Sequence, residues 1–125
     1  MEEIVEIVEG KTRLLVPKDS LDVNAPPKQP AFFNPRAKLS RDFSIIAYSA
    51  FLQNFKGPKI FLDCLAGIGA RSLRVANELD VVEKVFVNDV NPKALELGIE
   101  SAKINNITKC EFSENEACRF LSLHS

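Results

Sequence analysis

Histidine is nearly absent from this sequence of 125 residues: its single copy, His124, stands next to the last position. A histidine-bridged metal site or a histidine-based nucleophilic triad therefore has nothing to build on. Cysteine is scarce as well. Cys64, Cys110 and Cys118 are odd in number and lack C-x-x-C spacing, so free thiols in a reducing compartment are expected, not disulfides or zinc ligands. No apolar run approaches the roughly 20 residues that span a bilayer, and the acidic opening MEEIVEIVEG is not a secretory signal. These absences predict a protein with no metal and no membrane, located in the cytoplasm. What is present is enough for a core: 46% of the residues are hydrophobic, and the length suits one domain.

The net charge of −1 conceals a change of sign along the chain. Residues 1–10 carry −4, residues 11–59 carry +6 and residues 60–125 carry −3. A basic middle third is an electrostatic footprint for nucleic acid or a solvated lysine-rich face, and charge alone does not choose between them.

The organisation reads in two parts. Residues 1–37 comprise EIVEIVEGKTRLLVP, apolar on both sides of Gly10 and read as a β-hairpin, followed by PKDSLDVNAPPKQPAFFNP, whose five prolines and missing helical period predict an extended surface segment. Residues 38–125 open with Leu39, Phe43, Ile46, Ala47, Ala50, Phe51 and Phe55 at spacings of three and four, an amphipathic helix expected to pack its apolar side on a sheet. Gly57-Pro58 ends it. From there strands and helices alternate: KIFLDCLA, GARSLRVANELD, EKVFVNDV, NPKALELGIESAKIN with Asn91 as cap and Pro92 behind it, then TKCEFSEN. The expected fold class is α/β, a partial Rossmann-like sheet of parallel βαβαβ type behind an N-terminal β-hairpin and an amphipathic helix.

The turn in FLDCLAGIGARSLRVANE poses the chemical question. A dinucleotide fingerprint needs G-x-G-x-x-G; Gly67 and Gly69 supply two glycines and Ser72 stands at the third. Asp63 closes the strand, where its carboxylate repels a pyrophosphate and attracts a cation. S-adenosyl-L-methionine has a cationic amine and a cationic sulfonium and no phosphate, so Asp63 suits it. Asp89, at the tip of the next strand and 20 residues after Gly69, is placed for ribose hydroxyls. That spacing fits NAD equally, and the pairing of Asp63 with Asp89 favours the methyl donor. The plain alternatives are a tight turn and a helix cap.

Four stretches, FFNPRAKLSRDFS, LDCLAGIGARSLR, VFVNDVNPKALE and FSENEA, resemble in order and spacing the opening motifs of the tRNA (guanine-26-N2)-dimethyltransferases. The resemblance runs from about Phe32 to the end. It implies a methyltransferase fold that binds S-adenosyl-L-methionine and acts on tRNA, with Arg41 and Arg71 holding the cofactor's carboxylate, Asp89 its ribose, and Glu116 and Ala117 the adenine. The family more often has aspartate where Glu116 stands. Its catalytic Asp-Pro-Phe-Gly motif is missing from these residues, so no catalytic residue is assigned. The expectation is an N-terminal portion, inactive alone, of a longer enzyme. A nicotinamide-dependent oxidoreductase and a non-catalytic module with the same fold are the rival classes.

Overall fold

The structure is a computed structural model that describes residues 3–22 and 31–124. Strands β1 (Ile4–Glu9) and β2 (Thr12–Pro17) pair antiparallel, Glu9 opposite Thr12, as the expected hairpin. Gly10 turns it at φ +61°, and a Cβ there would lie 2.5 Å from Arg74 Nη2 and 2.6 Å from Glu78 Oε1. Both the left-handed backbone and the close approach call for glycine.

Where it is described, at residues 17–22 and 31–35, the expected extended surface segment is not extended throughout. A short helix α1 (Asp19–Asp22) and a 3₁₀ turn (Pro35–Ala37) occupy its two ends, and Ala31 and Phe33 are buried in the core. Pro35 stands first in that turn and Asn34 Oδ1 caps it, the local arrangement in which proline's missing N–H costs nothing. Pro26, Pro27 and Pro30 lie outside the described residues.

Helix α2 (Lys38–Gln53) follows, then the alternation read from the sequence: β3 (Ile60–Asp63), α3 (Ala70–Glu78), β4 (Lys84–Asn88), α4 (Pro92–Ile104) and β5 (Cys110–Ser113). The strands form one parallel sheet in the order β3-β4-β5, Phe61 beside Val85 and Val85 beside Cys110. A further helix, α5 (Ala117–Leu123), closes the described chain. The sequence reading had no element there, because seven residues hold too few apolar turns to show a period.

Two clusters make the core. Leu14, Val16 and Phe33 pack with Ile68, Leu73 and Ala94, so the hairpin and the segment before α2 share a core with the sheet's helices. Leu52, Val75, Leu79, Val82, Val85 and Val87 form the second. Helix α2 corrects one expectation. Its predicted apolar stripe does not pack on the sheet: Leu39, Phe43, Ile46 and Phe51 are each about two-thirds exposed, while Arg41 is buried and Ile45, Tyr48 and Leu52 make the inward contact. No helix among the described residues is long and apolar enough to cross a membrane.

Candidate functional site

The glycine turn follows β3 and meets the carboxyl end of β4. Gly67, at φ +59°, carries the chain past the Phe32 carbonyl, which a Cβ would meet at 3.5 Å. Its N–H donates to Asp89 Oδ2 at 2.8 Å, and Asp89 Oδ1 accepts from Asn91 N at 2.9 Å. Asp89 thus fixes the turn from the neighbouring strand tip, and about two of the four lone-pair positions of a carboxylate remain for a ligand. The cap of α4 is filled by Asn91, which accepts from Lys93 N and Ala94 N, so Asp89 is not spent on that task. Ser72 has its own explanation. Buried on α3 where a dinucleotide fold keeps glycine, it donates to Asp63 Oδ2 at 2.6 Å, a short charge-assisted bond that holds the carboxylate beside the turn.

A cavity of about 270 Å³ opens over this turn, with Phe32, Asn34, Arg41, Asp63, Gly67 and Arg71 in its lining. Four of the residues singled out from sequence, Arg41, Asp63, Gly67 and Arg71, therefore share one wall system. Asp89 reaches it through the Gly67 amide. Glu116 and Ala117 do not line it: Ala117 is the first residue of α5, and Glu116 caps that helix, accepting from Cys118 N at 3.0 Å and Arg119 N at 3.4 Å. The Cys118 amide, with Arg119 behind it, keeps the Glu116 carboxyl below its ordinary range.

The two arginines differ in their state. Arg41 is 7% exposed, and its Nε and Nη2 grip Glu9 Oε1 and Oε2 at 2.5 and 2.8 Å. Nη2 also donates to the Asn34 carbonyl at 3.1 Å, and the guanidinium lies over the Phe33 ring at 4.8 Å. None of these bonds uses Nη1. The expected two-bond grip of a ligand carboxylate by Arg41 therefore meets an edge already filled, which leaves Nη1 as the nitrogen without a bond to the described residues on a side chain that lines the cavity. Separating a buried pair of this kind costs about 3–5 kcal/mol, so Arg41 stays with Glu9. Arg71 is the reverse case: its Nε is buried and has no hydrogen-bond partner among the described residues. An unmet buried donor costs about 1–3 kcal/mol, which an anion in the cavity offsets.

Sequence reasoning passed over two groups. Asn88, fully buried at the end of β4, donates to the carbonyls of Cys64 and Asn115 and accepts from Ser113 Oγ and Asn115 N. It joins the tips of all three strands, and its signal was an amide closing the apolar alternation of VFVN. The second is the charged cluster of Glu9, Arg41, Asp42, Arg74 and Glu78. Arg74 and Glu78 have the i,i+4 spacing of one helix, but the pairs that join different elements carry no periodicity. A larger cavity of about 430 Å³, between α4 and β5, is lined by Glu96, Glu100 and Glu114 with no cation and none of the predicted residues, so the chemistry points to the smaller one.

The model of the N2,N2-dimethylguanosine tRNA methyltransferases matches residues 10–125. The chain belongs to that family. A tRNA (guanine(26)-N(2))-dimethyltransferase from Methanocaldococcus jannaschii is 44% identical over 120 residues, covering 93% of this chain and 31% of the relative. The enzyme of the same name from Methanopyrus kandleri is 41% identical, covering 92% and 28%. The chain thus spans about a third of the length of the relatives it matches. Among solved structures, Trm1 from Pyrococcus horikoshii in complex with S-adenosyl-L-methionine superposes with a TM-score of 0.74 at 28% identity, over 95% of this chain and 32% of that one. A SAM-dependent methyltransferase from Agrobacterium tumefaciens gives 0.70 at 14% identity, over 99% of this chain and 36% of that one, a likeness of fold.

Proposed function

We propose that this chain is the cofactor-binding portion of a cytoplasmic, S-adenosyl-L-methionine-dependent enzyme that methylates the exocyclic N2 amine of guanine-26 in tRNA. The observation that carries the reading is the convergence of Arg41, Asp63, Gly67 and Arg71 on one cavity at the strand tips, with Arg71 Nε buried and unpartnered among the described residues. The donor set fits the cofactor: two guanidinium groups face a carboxylate, Asp63 an ammonium, and the open lone pairs of Asp89 a pair of ribose hydroxyls. The bound cofactor supplies a methyl group made electrophilic by a sulfonium. The residues of this chain bind and orient it, and the proton acceptor for the guanine amine is not among them, since no Asp-Pro-Phe-Gly occurs. Glu116 and Ala117 remain assigned to the adenine side, at the tip of β5.

The same reading accounts for the uncovered side of the molecule. Phe51 of the exposed stripe shares a small apolar cavity with Ile60 and Phe61 of β3, whose outer edge pairs with no strand among the described residues, and the roughly two-thirds of each relative that this chain does not match is the segment we propose to cover both. Unpaired strand edges next to apolar surface otherwise invite association. A nicotinamide cofactor fits less well, because Ser72 keeps the Asp63 carboxylate where a pyrophosphate would lie. Calorimetric titration separates the two. S-adenosylhomocysteine should bind and NADH should not; NADH binding in the absence of S-adenosylhomocysteine binding contradicts the proposal.

A further inference from the structure

Glu9 lies in the hairpin, in a segment to which neither motif nor composition attaches any chemistry. It is 3% exposed, and its carboxylate bridges two helices. Oε1 accepts from Arg41 Nε on α2 and from Arg74 Nη1 on α3 at 3.2 Å, while Oε2 accepts from Arg41 Nη2. Arg41 sits on one wall of the cavity. Arg74 stands three residues, about one helical turn, beyond Arg71 on the other wall. The bridge is braced on the Arg74 side by Glu78 and Asp42 and, through Glu78, by Thr12 of the hairpin itself. Gly10, next to Glu9, lets the hairpin tip come within reach of Arg74 and Glu78.

We propose that Glu9 is a positioning residue for the cofactor cavity: it holds Arg41 by the Nε–Nη2 edge, leaves Nη1 for the ligand, and fixes the spacing between the Arg41 and Arg71 walls. The inference rests on the cofactor reading of that cavity. Phe33 and the Asn34 carbonyl complete the cradle of Arg41, so the whole wall before α2 moves with the carboxylate that anchors it. Glu9 touches no ligand in this account and acts through Arg41 and Arg74.

The test compares S-adenosylhomocysteine affinity with melting temperature in the complete enzyme. Glu9→Gln, which replaces one acceptor by a donor facing Arg41, should weaken binding about tenfold, and Glu9→Asp, which keeps the charge and withdraws it by one methylene, should weaken it less. In an Arg41→Lys background Glu9→Gln should cause a smaller further loss, the part that passes through Arg74. Thr12→Val, cutting the Glu78 branch, should lower the melting temperature and leave affinity unchanged. Wild-type affinity in both Glu9 variants while Arg71→Ala binds weakly overturns the positioning role alone. Wild-type affinity in Arg71→Ala removes the cofactor reading beneath it. If Glu9→Gln does not fold, the Glu9→Asp affinity decides.

Discussion

Helices α2 and α4 have similar apolar spacing and opposite outcomes. On α4 the rule holds: Ala94, Leu95, Gly98 and Ala102 are buried, and Lys93, Glu96, Glu100 and Lys103 face out. On α2 the rule inverts, with Arg41 buried and Leu39, Phe43, Ile46 and Phe51 outward. Periodicity identifies a helix and its apolar stripe; it does not say which partner covers the stripe. The inner side of α2 is shaped by chemistry instead, because it carries the arginine that lines the cavity and needs a buried carboxylate to keep it there.

The largest expected effect tests the inversion. Leu95→Ala on α4 should cost about 2–5 kcal/mol in denaturant unfolding, whereas Phe43→Ala on α2 of the 125-residue chain should stay within about 0.5 kcal/mol. In the complete enzyme Phe43→Ala should approach the Leu95 value. A loss at Phe43 as large as that at Leu95 in the short chain means that its stripe is covered within these residues.

A smaller effect tests the charged face of α2. Asp42 accepts from Lys38 Nζ and Arg74 Nη1, each at 2.7 Å, and the Lys38 bond, then the Arg74 bond, hold its carboxyl below the usual range. Burial pushes Glu78 upward, but the hydrogen bonds from Arg74 and Thr12 outweigh it and leave that carboxyl lowered too. A carboxyl lowered in the folded state adds stability above its unfolded value, about 4 to 4.5, and loses it as pH falls through the folded one. Melting temperature should therefore decline below about pH 4.5, and less steeply in Glu78→Gln. An identical acid slope in the variant contradicts the assignment.

The comparison also marks how far the sequence could be read. Strand and helix order, the cap at Asn91 and the glycine turn all follow from local rules, since each depends on residues close together in the chain. The convergence of Asp63, Gly67 and Arg71 was legible for the same reason: a strand tip and the first turn of its helix are neighbours in sequence and in space. Glu9 with Arg41, and Asn88 with Asn115, were not. These pairs are 32 and 27 residues apart, and only the folded sheet brings them together. Phe33 shows the limit within a single motif: FFNP places two phenylalanines side by side, yet one is 3% and the other 46% exposed, a division set by the packing of residues far along the chain.

Arg71, whose Nε is buried without a hydrogen-bond partner among the described residues, is what makes the proposed cofactor site an anion-holding one. Titration of S-adenosylhomocysteine into Arg71→Ala tests this role most directly, because the substitution removes a buried Nε donor that has no partner among the described residues. Affinity should fall about tenfold or more, the loss of a charge-assisted hydrogen bond of roughly 1.5–3 kcal/mol, in a protein whose melting temperature is unchanged or raised. Wild-type affinity in a folded Arg71→Ala protein would contradict the account.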